Sequence, residues 1–260
     1  MTLKKFTNAA QQLLARRVSG TKAYSVDATI KPNTIEEALI VQQETIKLRT
    51  DFVAGWKCLL PLAEDKIIIA PIFSDTMQNG EQCWLMQDNN KVRVEPEIAF
   101  VLNHDLPARK EGYTAAEIDA AIGSCHMALE LIQSRFADDS DALFPERLAD
   151  CLVNQGLFIG PEIDKAVAFS ANKFQVSIKQ YEPNTAVNEQ VFNGVHPNPF
   201  PQLPVYWAIN FMTKRGTNFK KGEAFTTGSY AGVVELYFDQ TTQIDYAGIG
   251  SFKVIFKELV

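Results

Sequence analysis

Two glutamates flank a proline in Glu95-Pro96-Glu97, inside the apolar and β-branched run Val92–Leu102. On a strand, residues two apart face the same side, with their backbones about 6.5–7 Å apart. Two carboxylates at that spacing can close on one cation, and without one they repel each other. Proline cannot donate a ladder hydrogen bond, so Pro96 is expected at an edge or a bulge, where backbone can border a cavity. Hard oxygen donors favour Mg²⁺ or Mn²⁺. Alone, the E-x-E spacing is a weak signal and reads first as a solvated strand face. Glu130 adds a second signal, because it lies in the apolar segment Met127-Ala-Leu-Glu-Leu-Ile132. A carboxylate among leucines is costly unless it is protonated, paired or metal-bound. Two readings are open for it: an ion pair with the nearby Arg135, or the third ligand of a facial oxygen site that leaves positions for substrate and water.

Lys57, after Gly55-Trp56, and Asp75, in Phe73-Ser-Asp-Thr76, also sit among hydrophobic residues. By pattern alone, Lys57 reads as a surface lysine lying along Trp56, and Asp75 as a turn residue. His104, His126 and His196 have no triad spacing, and there is no G-x-S-x-G elbow or phosphate-binding glycine loop. Cys58, Cys83, Cys125 and Cys151 contain no C-x-x-C pair, which gives a zinc site little support and suggests buried thiols. Acidic residues outnumber basic ones by 31 to 25, for a net charge of −6, which argues against a nucleic-acid binder. No apolar run is long enough to span a bilayer, and the N-terminus lacks a secretory apolar region, so a cytoplasmic enzyme is expected.

The elements that must position these residues follow from periodicity. An amphipathic helix is predicted from Leu3 to Arg17, and a second over Thr34–Arg49, where Thr34 and Glu37 form a capping box. These make an N-terminal helical segment, residues 1–50, covering a β-rich catalytic domain, residues 51–260. Strands are predicted at Ile67–Ala70, Val92–Leu102, Phe174–Ile178, Ala231–Phe238 and Ser251–Phe256. Two helices are expected among them. One begins at Thr114 with a capping box to Glu117 and runs through Ile122 and Cys125; the other covers Leu203–Arg215 and ends near Gly216. Helices first, then many strands with inserted helices, defines an α+β class.

In combination, these residues resemble the fumarylacetoacetate hydrolase superfamily, most closely its 2-oxopent-4-enoate hydratase and 4-oxalocrotonate decarboxylase branch. The resemblance rests on Gly55-Trp56-Lys57, on Glu95 and Glu97 leading into Ile98-Ala-Phe-Val-Leu102, and on Ala128-Leu-Glu130 with Ser134-Arg135. Phe73-Ser-Asp75, Asn103-x-Asp105-Leu-Pro107, Ala149-Asp150, Gly222–Gly228 and Gly248–Ser251 add to it, in the family's order along nearly the whole chain. It implies a mixed β-roll or barrel core with an N-terminal helical segment. It further implies a Mg²⁺ or Mn²⁺ ion on Glu95, Glu97 and Glu130, catalytic roles for Lys57 and Asp75, and a substrate-closing loop at Thr227, Gly228 and Ser229. The implied reaction is addition of water to a 2-hydroxy-2,4-dienoate, through an enolate the metal stabilises, to give a 4-hydroxy-2-oxo acid. Alternatives are decarboxylation of an oxalocrotonate-type substrate, with Arg93, Arg135 and Lys173 as candidates for the second carboxylate, and hydrolysis of an acylpyruvate. A metal-binding, non-catalytic partner subunit is the alternative of another class. The resemblance also implies a homo-oligomer and a complex with a related decarboxylase. The chain departs from the family pattern at Cys58-Leu-Leu-Pro61, at Cys151-Leu-Val153 and at a segment carrying Pro197, Pro199 and Pro201.

Overall fold

The computed structural model describes residues 2–63, 66–182 and 185–259; Met1 and Val260, the outer limits of the two expected segments, lie outside them. The chain opens with helices α1 (Thr2–Ser19) and α2 (Ile35–Leu48), then strands β1 (Val53–Ala63) and β2 (Lys66–Phe73). A 3-10 turn, Ser74–Thr76, leads to β3 (Met77–Gln78), β4 (Gln82–Leu85) and β5 (Val92–Leu102). Next come α3 (Ala115–Ala121), β6 (Ile122–Ile132), α4 (Phe144–Ala149), β7 (Asn154–Ile163) and α5 (Lys165–Ser170). The chain ends with β8 (Lys173–Glu182), β9 (Thr185–Val195), α6 (Leu203–Thr213), β10 (Ala224–Thr226), β11 (Val234–Leu236), β12 (Thr241–Tyr246) and β13 (Gly250–Glu258).

The capping residues act largely as their spacing implies. Thr114 and Glu117 exchange both bonds of a capping box, at 3.2 and 2.7 Å. Thr34 accepts from the Glu37 amide at 3.2 Å, but the Glu37 carboxylate reaches back to Asn33 instead. The helix predicted through Ile122 and Cys125 stops at Ala121, and both residues belong to β6, paired with Leu102 and Phe100 of β5. Burial of the β-branched and apolar run 127–132 between two strands outweighs the helical periodicity upstream of it. Of the predicted Ala231–Phe238 strand only Val234–Leu236 pairs, and helices α4 and α5 had no sequence expectation.

The larger sheet runs β2-β1-β10-β5-β6-β7-β3, with β11 also pairing with β5. Strands β2 and β3 stand at opposite ends of that order, yet only Ser74–Thr76 connects them. Three residues span about 10 Å at most, so the sheet must roll until its edges meet. Strand parity places Lys57, Ile72, Glu95, Glu97, Ala99, Ala128, Glu130, Ala224 and Thr226 on the inner face of this roll. Its apolar part is a small cluster of Ile72, Ala99, Ala128, Leu157 and Ala224, and the short side chains leave space inside. A second sheet, β4-β13-β12-β8-β9, packs through Phe252 against Phe158 of β7, with ring centroids 5.7 Å apart.

Phe6, Ala9, Leu13, Ala38, Leu39 and Val41 of the N-terminal helices belong to the same buried cluster as Trp56, Ile69 and Phe100 of the sheet. Gln42 fastens α2 to this core, donating to the Ile69 carbonyl at 3.1 Å and the Leu148 carbonyl at 2.6 Å. No helix among the described residues is long and apolar enough to cross a membrane.

Trp56 and Glu223 tie β1 to the start of β10. The Trp56 indole N–H donates to Glu223 at 2.7 Å, and the Lys220 amide donates to the other carboxylate oxygen at 3.0 Å. Burial nevertheless pushes the Glu223 carboxyl up to about 7 from 4.5. The folded state therefore holds a proton that the unfolded chain has released, and stability falls as pH rises through the interval from about 4.5 to 7, by at most about 3 kcal/mol. Melting curves between pH 5 and 8 are expected to show this decline in the wild type. In Glu223→Ala, less stable overall, that share of the pH dependence should vanish; an unchanged slope would place its origin elsewhere.

Candidate metal centre

Strands β5 and β6 bring the three glutamates together. Glu95 lies directly across from Glu130 in the ladder, and Glu97 lies across from Ala128 on the same face. One carboxylate oxygen from each of Glu95, Glu97 and Glu130 lies within 4.8 Å of the others. Glu97 and Glu130 are fully buried.

The expectation for Pro96 is corrected in its detail. Strand β5 is interior to the sheet, but its outer side is shared by two strands, with β11 covering Val92–Val94 and β10 covering Ala99–Val101. Pro96 sits in the gap between them, where its missing N–H breaks no ladder bond. Its carbonyl instead accepts from the Tyr230 amide at 2.9 Å and the Ser229 hydroxyl at 3.3 Å. The gap is thus filled by the loop after β10, and that loop closes the cavity over the glutamates. The Gly228 amide donates to Glu97 at 2.9 Å. Gly228 has a φ of +121°, a conformation open to glycine, and a Cβ there would come within 2.6 Å of Pro197 Cγ.

Glu130 does not pair with Arg135. Arg135 is spent on Asp150, at 2.8 Å, while the ammonium of Lys57 lies 2.7 Å from Glu130 Oε1. Lys57 arrives from β1, and its partner in the neighbouring strand β10 is Thr226. Asn154 also donates to Glu130 Oε1, at 2.9 Å, and Lys57 donates to the Leu152 carbonyl at 3.2 Å. Burial would lower the Lys57 pKa, but Glu130 and Glu95 outweigh it and push it up to about 12. Burial, then Glu130 and Glu95, raise Glu97 well above the usual carboxylate range. Burial likewise raises Glu95.

Leu152 belongs to an unusual turn. Cys151, Leu152 and Val153 all have positive φ, at 60°, 51° and 63°. Each non-glycine residue held there costs about 1–2 kcal/mol, and β-branched Val153 is especially unsuited to it.

The cavity between these elements has a volume near 200 Å³ and is lined by Lys57, Cys58, Leu59, Ile68, Glu95, Glu97, Pro197, Thr226, Gly228 and Ser229. Sequence reasoning had no signal for Asn154 or Thr226, since their place depends on which strands pair. Of the three expected loop residues, Gly228 and Ser229 line the cavity, while Thr227 turns its buried hydroxyl to His196, 3.3 Å away. Thr226, one residue earlier and on the inward-facing register with Lys57, takes that place. Asp75 is not brought to the cavity: it is exposed on the 3-10 turn, and its amide donates to Asp51 at 3.0 Å. The segment after Lys57 is a β-hairpin with β2 whose tip, residues 64 and 65, lies outside the described residues.

The donor set suits a divalent ion. Three carboxylates share the site with one ammonium, and Glu130 Oε2 is buried with no hydrogen-bond partner among the described residues. All donors are hard oxygens, the chemistry of Mg²⁺, Mn²⁺ or Ca²⁺.

No protein-family model and no curated protein matches the sequence significantly. Among solved structures, the chain is similar to 4-oxalocrotonate decarboxylase from Pseudomonas putida G7 complexed with magnesium and adipate, at 17% identity over 99% of both chains with a TM-score of 0.77. The same enzyme complexed with calcium and acetate gives 17% identity, 99% coverage of both chains and a TM-score of 0.75. A 2-hydroxyhepta-2,4-diene-1,7-dioate isomerase from Mycobacterium marinum matches at 12% identity, over 80% of this chain and 77% of that one, with a TM-score of 0.50. At such identities the likeness is one of fold. The rolled sheet with N-terminal helices is the fold that the sequence resemblance implied.

Protons and a cation compete for the same oxygens, so with Glu95 and Glu97 held above the usual carboxylate range, metal affinity should rise with pH. Mn²⁺ titrations from pH 5.5 to 8.5 are expected to show tightening, and Glu130→Ala is expected to weaken binding by at least about 10²-fold. Binding indifferent to both would place the ion elsewhere.

Proposed function

We propose that this chain is a metal-dependent enzyme of the fumarylacetoacetate hydrolase superfamily that adds water to a 2-hydroxy-2,4-dienoate, giving a 4-hydroxy-2-oxo acid. The observation that carries this reading is a Glu95–Glu97–Glu130 cluster, two of its members buried and Glu95 half-buried, joined to Lys57 at the wall of a small cavity. A divalent ion bound by these glutamates supplies a Lewis acid for the carboxylate and keto oxygens of a 2-oxo acid.

The protein's own groups take the remaining roles. Lys57 Nζ, held between Glu130 and the Leu152 carbonyl, faces the cavity as its proton-carrying group. It delivers and removes the protons that interconvert dienol and ketone, and its charge offsets the enolate. Thr226 Oγ1 is buried without a partner among the described residues and can hydrogen-bond substrate or the attacking water. Leu59, Ile68 and Pro197 form an apolar wall for the hydrocarbon tail and limit entry of bulk water.

Decarboxylation is the second reading, favoured by the fold of a decarboxylase complexed with the dicarboxylate adipate. The cavity lining favours hydration, because among the described residues Lys57 is its one cation and already neutralises Glu130. The candidates for a second carboxylate are committed or remote: Arg93 pairs with Asp88, Arg135 pairs with Asp150, and Lys173 is exposed. The hydrolase alternative needs a histidine–carboxylate pair. Among the described residues His104, His126 and His196 hydrogen-bond only to Asn103, Ser124, Gly160, Asn198 and Thr227.

The test follows the ultraviolet absorbance of 2-hydroxypenta-2,4-dienoate with Mg²⁺ or Mn²⁺. Metal-dependent bleaching is expected, slowed at least about 10²-fold in Lys57→Met. A dienoate with a second, distal carboxylate should react with a kcat/KM lower by about 10²-fold, about 2.7 kcal/mol of unpaired charge. Preference for the dicarboxylate with release of carbon dioxide would establish the decarboxylase. Metal binding without turnover of either would point to a non-catalytic subunit.

A further inference from the structure

Both groups that hold the Lys57–Glu130 pair in place come from a single stretch of chain. Leu152 gives its carbonyl to Lys57 at 3.2 Å, and Asn154 gives its side-chain amide to Glu130 at 2.9 Å. In this stretch Cys151, Leu152 and Val153, immediately before Asn154, are held one after another in the left-handed region. The direction of the Leu152 carbonyl is set by the backbone angles of Leu152 and Val153 on either side of that peptide, so this run aims it at Lys57. A lysine head on four flexible methylenes has few other means of being fixed.

The turn is held by an arginine that lies outside the cavity. Arg135 is completely buried, and its guanidinium donates to the Asp150 carboxylate at 2.8 Å, the Asp150 carbonyl at 2.7 Å, the Gln133 carbonyl at 2.8 Å and the Val153 carbonyl at 3.5 Å. It thus grips the residue before the left-handed run and the last residue within it. The Gln133 amide adds a bond to the Val153 carbonyl at 2.9 Å, and the Leu152 amide donates to Arg147 at 2.8 Å. Four contacts in a planar fork exceed what the three donors of an ammonium could make.

We propose that the turn Asp150–Asn154, keyed by Arg135, is a positioning element that fixes the Lys57 ammonium against Glu130, so that Arg135 and Val153 govern turnover without touching substrate. The inference rests on Lys57 as the proton-carrying group of the proposed reaction. Its local part, the restraint on Lys57, is measurable without any reaction.

Two variants test it in the Mg²⁺-loaded protein. Arg135→Lys keeps the charge but loses the fork. Val153→Gly leaves the Arg135–Asp150 pair intact and makes the backbone free to leave the left-handed region, so it remains informative if Arg135→Lys fails to fold. The readouts are trace acetylation of Lys57 by acetic anhydride, scored by peptide mass spectrometry against the exposed Lys4, together with kcat, KM and Mn²⁺ affinity. Lys57 labelling is expected to rise about tenfold in either folded variant. In parallel, kcat should fall by about tenfold or more, while KM and Mn²⁺ affinity stay within about threefold. A purely structural role would lower kcat only in proportion to the unfolded fraction and leave labelling of the folded protein unchanged; that result overturns the proposal. Labelling that rises with kcat unchanged, or kcat that falls with labelling unchanged, overturns it too. If the wild type turns over no dienoate yet Lys57 labelling rises in the variants, the restraint stands and the assigned reaction falls.

Discussion

Three carboxylates on adjacent strands, directed into the closed interior of a rolled sheet, repel one another in a medium that screens them poorly. Much of the surrounding architecture can be understood as an answer to that repulsion. Lys57 crosses the roll to meet Glu130, Asn154 donates to the same oxygen, and the Gly228 amide donates to Glu97. Each partner comes from a different segment, so the charge cluster holds the sheet, the loop after β10 and the turn before β7 in register with one another. What these partners leave unanswered, one buried oxygen of Glu130 and the excess negative charge, is what a divalent cation would answer.

The same site depends on a discontinuity. A continuous strand beside β5 would cover Glu95–Ile98 and seal the interior. Two short strands leave a window instead, and a proline occupies β5 at that point without sacrificing a hydrogen bond. The loop that fills the window supplies Gly228 and Ser229 to the cavity. Pro197 closes against Gly228 so tightly that a side chain there would collide.

The parts of this arrangement that lie close together in sequence were legible there. The E-x-E pair, the oddly placed Glu130, the cap residues Thr34 and Thr114 and the strand at Ser251–Phe256 each report a local property, and the structure meets them. The fold class and the rolled core followed from the combined motifs. What was not legible depends on distant pairing. Thr226 enters the cavity because β10 lies between β1 and β5, and nothing near Thr226 says so. Arg135 was a plausible partner for Glu130 by proximity along the chain, yet β6 ends between them and the arginine turns back to Asp150. The helix extension through Ile122 and Cys125 failed because strand pairing overrode a pattern that helix and buried strand share. Asp75 lies on the turn that its neighbours suggested, exposed and apart from the residues that line the cavity.

The strand order has a consequence for how the chain reaches this state. Strand β10, residues 224–226, is inserted between β1 and β5, so the two strands that carry Lys57 and the glutamate pair cannot be joined until more than four-fifths of the chain has been made. Such long-range pairing gives a high contact order, and folds of this kind acquire their final topology slowly. On the ribosome the growing chain holds an open β1 edge from the completion of β1 until β10 is made, more than half of its synthesis. The charge cluster can hold the roll together only once these last segments have arrived.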